Sequence, residues 1–145
     1  MRTALAALAV LLLAACAPNG PQSHPSFERT RQVALSPDDV WRRTLDFLAA
    51  EGILIRSADR TSGVLYAEQL MDRDPSLADC GSGGSWRALP QTALSLNVFV
   101  RAEGGSTRVT VNTRFTQMYS SGMDARPVLC VSTGALEGKL FAALL

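Results

Sequence analysis

Few residues in this chain can do chemistry, and their positions limit what it can be. His24 is the sole histidine. It falls among Pro18, Gly20, Pro21 and Pro25, in a stretch with too few apolar side chains to offset the entropy of ordering it. A general base has to be held within hydrogen-bond reach of the proton it takes, and a segment of this composition is a tether that offers no fixed position. That removes Ser-His, Cys-His and multi-histidine metal arrangements, so no catalytic residue, metal or cofactor is expected. Lys139, the sole lysine, lies on a segment with helical spacing whose ordinary role is packing. Asp72, Asp74 and Asp79 could turn their oxygens toward a calcium ion, but they lack the glycine and terminal glutamate positions of an EF-hand loop. The run Gly81-Ser82-Gly83-Gly84 lacks the Gly-Lys-Ser/Thr ending of a phosphate loop. Trp86 and Arg87, just beyond it, are candidates for a ligand or partner surface; the competing reading packs Trp86 on a disulfide.

The three cysteines carry more information. Cys16 ends the run Leu13-Ala14-Ala15-Cys16. Before it, Arg2 gives a positive start, Ala4 to Leu13 an apolar stretch, and Ala14-Ala15 the small residues that precede a cleavage site. The apolar stretch is shorter than the roughly 20 residues that span a bilayer. This ending resembles the lipobox of bacterial lipoproteins, in which the thiol receives a diacylglycerol and the new amino terminus is acylated. The resemblance implies a signal peptide at 1–15, cleavage before Cys16, and a lipid (palmitate-type) anchor on Cys16. With several acyl chains the attachment is effectively permanent, since two lipid signals already suffice. In such lipoproteins an Asp after the Cys favours retention at the inner membrane. Here the residue is Ala17, which implies the outer membrane, with the protein facing the periplasm.

Export to an oxidising space leaves Cys80 and Cys130 to form a disulfide. Two buried thiols or a redox pair are the alternatives, and the absence of any Cys-x-x-Cys spacing weighs against redox chemistry. Once Arg2 is lost with the signal, the basic and acidic residues balance at 13 each. Neutrality argues against nucleic acid or a strongly acidic partner.

These residues are positioned by a single domain at 27–145, preceded by a flexible tether at 16–26. Arg29, Arg31, Val33 and Leu35 alternate with Thr30, Gln32 and Ala34 and suggest a short edge strand. Ser36 is then a helix N-cap, with Pro37 at the first helical position and Asp39 in a capping-box arrangement. Leu35 and Val40 form a hydrophobic staple. Val40, Trp41, Thr44, Leu45, Phe47 and Leu48 make the apolar face, and Gly52 closes the helix as a left-handed cap. Ile53-Leu54-Ile55 reads as a buried strand, Asp59 to Gly63 as a turn, and Val64 to Glu68 as the returning strand. Gln69 to Pro90 lacks periodicity and reads as a long loop. Leu94, Leu96, Val98 and Val100 alternate with Ser95, Asn97, Phe99 and Arg101, Gly104-Gly105 turns, and Val109, Val111, Thr113 and Phe115 alternate with Thr110, Asn112, Arg114 and Thr116. Ser95, Asn97, Arg101, Thr110, Asn112 and Arg114 then share one open face. Of these, Asn97, Arg101, Asn112 and Arg114 join Trp86 and Arg87 as candidate surface residues, although a plainly solvated face also accounts for them. Met118 to Leu129 reads as a second loop. Ser132 and Thr133 are candidate caps for a last helix that carries Glu137 in its first turn and Leu136, Leu140, Phe141 and Leu144 at helical spacing. The expected fold is α+β in the order β-α-β-β-β-β-α, with two helices on one face of an antiparallel sheet.

The lipobox, the short tether, the helix start Ser36-Pro37-Asp38-Asp39-Val40-Trp41, the exit Gly52-Ile53-Leu54-Ile55, the strand pair and the C-terminal helix together resemble small envelope lipoproteins with a BamC-like helix-grip domain. That family includes an accessory component of outer-membrane β-barrel assembly. The resemblance implies a non-enzymatic accessory protein that binds other envelope proteins at the outer membrane. The alternative function is a small-ligand or cell-wall-binding lipoprotein.

Overall fold

The computed structural model describes residues 25–145. Cys16, His24, the signal segment 1–15 and the tether up to residue 24 lie outside the described residues. The chain forms β1 (Thr30–Val33), α1 (Pro37–Ala50), β2 (Leu54–Asp59), β3 (Val64–Asp72), β4 (Ala78–Asp79), β5 (Arg87–Glu103), β6 (Ser106–Ser121), β7 (Asp124–Ser132) and α2 (Ala135–Ala143). This is an α+β fold, and every strand pairing among the described residues is antiparallel. The sheet order is β2-β3-β5-β6-β7-β4. Strand β1 pairs with the first half of β6 and β7 with the second half, so both occupy one side of β6, end to end.

Helix α1 forms as its sequence requires. The Ser36 hydroxyl accepts from the Asp39 amide at 3.1 Å, and Pro37 fills the first turn, where no donor is needed. At the other end Gly52 takes φ 69°, the Gly52 amide bonds Ala49 O, and the Ile53 amide bonds Leu48 O at 2.8 Å. These two bonds make a Schellman ending, and Leu48 and Ile53 are both buried beside it. Val40, Trp41, Phe47 and Leu48 face Leu65 and Ala67 of β3, Leu94, Leu96, Val98 and Val100 of β5, and Val109, Val111 and Phe115 of β6 in one core. Leu136, Leu140 and Phe141 of α2 and Leu144 at its C-cap complete it. Both helices therefore cover the same face of the sheet.

Several elements depart from the sequence expectation. Ile53 is buried, but Leu54 and Ile55 are 57% and 41% exposed, because β2 is the edge strand and has a neighbour on one side only. Most of Met118 to Leu129 is strand: β6 continues to Ser121 and turns at Gly122-Met123 into β7. Periodicity fails there because Gln117 occupies a buried position. Its amide donates to Leu89 O at 2.7 Å and Gln91 O at 3.0 Å, and its oxygen accepts from Thr92 at 2.7 Å. Gln117 thus pairs backbone carbonyls left open where β5 shifts register between Ala88 and Thr92. Within Gln69 to Pro90, β3 extends to Asp72, β4 pairs with β7, and β5 starts at Arg87.

The segment between Arg73 and Trp86 is pinned at several points. Cys80 and Cys130 are joined by a disulfide. The Thr133 hydroxyl donates to Ser76 O at 2.6 Å, and the Thr133 amide bonds Leu77 O. Gly83 lies so close to the Tyr119 ring that a Cβ there would overlap it, and the Tyr119 hydroxyl donates to Gly81 O at 3.0 Å. Gly83 is thus a packing solution, whereas Gly81 and Gly84 take positive φ, 66° and 61°. Asp74 and Asp79 accept from the amides of Ser76 and Gly81, as turn-forming carboxylates do. Among the described residues no group of three or more His, Cys, Asp or Glu could hold a metal ion.

At the start of α2 the cap residue is Gly134, with φ 86°, but Ser132 and Thr133 supply the capping oxygens to the amides of Gly134 and Ala135. Glu137 is buried rather than exposed to solvent in the first turn. Its carboxylate accepts from Thr113 of β6 and from Ser132 of β7 at 3.0 Å, tying helix and sheet together. A Cβ on Gly134 would overlap the ring of Phe27, which therefore docks on the bare backbone where β7 meets α2.

Candidate functional site

The face of the sheet that the helices leave uncovered is the candidate site. Strand alternation turns Tyr66, Glu68 and Leu70 of β3 outward together with Ser95 and Asn97 of β5 and Asn112, Arg114 and Thr116 of β6. Register aligns them in rungs. Arg114 stands opposite Ser95, Ser95 opposite Glu68, and Glu68 opposite Leu54. In the adjacent rung Thr116 faces Ala93 and Ala93 faces Leu70. These two rungs line an open concavity of about 540 Å³, with Arg56 and Tyr66 at its wall.

A connected polar group occupies its β2–β3 side. Arg56 sits where β2 bulges between Ile55 and Ser57, and its Nε donates to Glu68 Oε2 at 3.1 Å. The Tyr66 hydroxyl donates to the other oxygen of Glu68. That bond to Glu68, followed by partial desolvation, raises the Tyr66 phenol above its ordinary value. A phenol held protonated in this way is a hydrogen-bond donor and not a base. Glu68 is therefore occupied on both oxygens. Arg114, across the concavity, is exposed and makes no hydrogen bond or ion pair among the described residues. The arrangement can recognise a charged, partly apolar group; it presents no activated nucleophile.

The residues singled out from sequence divide into two groups. Asn97 faces Asn112 in the rung beside Arg114, so these three lie together. Arg101 shares the face but stands opposite Arg108 and donates to Ser62 O, holding the β2–β3 turn against β5. Arg108 is itself paired with Glu103 at 2.6 Å. Trp86 and Arg87 lie elsewhere: Arg87 pairs with Ser120, six residues or roughly 20 Å along β6 from Arg114. The Trp86 ring is half-buried, with the Arg126 guanidinium 4.6 Å from its centroid. Sequence reading missed Arg56, Tyr66 and Glu68. Their signal was present in part, since Leu65 and Ala67 alternate inward, but the bulge that brings Arg56 into reach has no period. No protein-family model and no curated protein matches this chain.

Proposed function

We propose that this chain is a lipid-anchored accessory protein of the bacterial cell envelope, attached through Cys16 to the periplasmic side of the outer membrane. It is non-enzymatic and docks other envelope proteins through the open face of its sheet. The observation that carries this reading is the uncovered concavity between β2 and β6, where exposed Leu54 and Leu70 at one side face Arg114, which has no ion pair among the described residues, at the other. An apolar patch with an adjacent charge is a usual partner surface. The Cys80–Cys130 disulfide supports an exported location. No helix among the described residues is long and apolar enough to cross a membrane, so the anchor in this proposal is the lipid alone. The BamC-like helix-grip kinship belongs to the same proposal, supported by two helices laid on one face of an antiparallel sheet.

The test is photo-crosslinking in cells from a reactive residue placed at Leu70. We expect discrete adducts with outer-membrane or periplasmic proteins, lost when Cys16→Ser prevents acylation. Recovery of abundant contaminants alone, or a mature Cys16 without acyl chains by mass spectrometry, overturns the proposal. The concavity also suits the second reading, binding of a small ligand or cell-wall fragment; thermal stabilisation by muropeptides in the absence of protein adducts would select it.

A further inference from the structure

We infer that the concavity binds an extended, acidic segment of a partner protein, with its carboxylate on Arg114 and an apolar side chain four residues away between Leu54 and Leu70. This deepens the docking reading proposed above and rests on it. Charge identifies the occupant. Of the two arginines lining the concavity, Arg56 is matched by Glu68, and Glu68 is filled by Arg56 and Tyr66. The exposed guanidinium of Arg114 makes no hydrogen bond or ion pair among the described residues, and a guanidinium binds a carboxylate through paired, charge-assisted hydrogen bonds. Ser95, beside it in the same rung, adds a hydroxyl, and Thr116 lies one rung away.

Geometry sets the spacing. Arg114 and Leu54 lie at opposite ends of one rung, three strand spacings or about 14 Å apart. An extended chain covers that distance in about four residues, and residues i and i+4 of such a chain point to the same side. One peptide crossing the strands can therefore set both side chains on the sheet. The shallow, open shape suits a peptide better than a small molecule, which requires a site that buries most of its surface. Addition of the segment as a further strand on β2 is disfavoured by the bulge at Arg56, a device that blunts edges.

The test uses the full chain in detergent micelles and dye-labelled peptides read by fluorescence anisotropy. The probes are Glu-Ser-Thr-Ser-Leu, its Gln-for-Glu counterpart, and Glu-Ser-Thr-Leu, all blocked at both ends. We expect saturable binding of the first. The second and third, and Arg114→Gln with the first, should bind about tenfold more weakly, the loss of one charge-assisted contact or one apolar anchor. Arg87→Gln, which removes the same charge roughly 20 Å away on the same face, should bind as the wild type does. Absence of saturable binding, equal affinity for the Glu and Gln peptides, or unchanged affinity in Arg114→Gln overturns the inference. Unaltered thermal unfolding of Arg114→Gln shows that any loss is local. If crosslinks from Leu70 persist in Arg114→Gln cells, the docking surface stands and the acidic anchor is wrong.

Discussion

The two faces of the β5–β6 pair are made by the same two strands and differ in almost every other respect. On the covered face Leu96, Val98, Val109 and Val111 are buried against α1 and α2, and among the described residues every buried side-chain nitrogen and oxygen has a hydrogen-bond partner. On the open face Ser95, Asn97, Asn112 and Arg114 alternate with them, residue by residue, in contact with solvent. Stability therefore constrains every second residue and leaves the intervening ones free to be chosen for binding. Substitutions that respect this division should separate folding from partner recognition.

The largest effect is expected for Phe115→Ala on the covered face. Phe115 is 1% exposed, and its loss should cost about 4 kcal/mol in urea unfolding. Next, Cys80→Ser with Cys130→Ser, which opens a loop closed across 50 residues, should cost about 3 kcal/mol by the same measurement. Gln117→Ala strips partners from Leu89 O, Gln91 O and Thr92 and should cost about 2 kcal/mol. A neutral outcome there would mean that water replaces the amide and that the covered face tolerates polarity better than its packing implies. On the open face, Arg114→Gln should change stability by less than about 0.5 kcal/mol; a larger loss would erase the division between the faces.

The smallest effect is spectroscopic. In an ultraviolet titration of the two tyrosines, Tyr66 should ionise above its ordinary value of 10.0, and Glu68→Gln should bring it down. Because the folded value is raised, any stability this contact gives is present below the unfolded value. It is lost as pH rises through the folded one. Failure of Glu68→Gln to move the titration would mean that Glu68 does not hold the phenol.

How far the sequence could be read follows from the same division. The Ser36 cap, the Gly52 ending and the alternation of β5 and β6 are local signals, and each appears where the residues require it. Leu54 and Ile55 misled because an apolar run looks the same in a buried strand and at a sheet edge; only topology separates the two. The last part of β6 was hidden by Gln117, a polar side chain whose burial makes sense only beside the irregularity in β5. The open-face residues of β5 and β6 were legible by alternation. The Arg56, Tyr66 and Glu68 group was not, since it depends on a bulge and on pairing across strands.

The contact between Phe27 and Gly134 has a mechanical consequence. Phe27, near the start of the described residues, sits at the junction of β7 and α2, so tension applied to the chain there is delivered to the Phe27 ring and to the bond from the Val111 amide to Arg29 O. A pull on Pro25 would load β1 against β6 before it reached the core. Four residues long and paired to β6 alone, β1 is the element that such a load meets first.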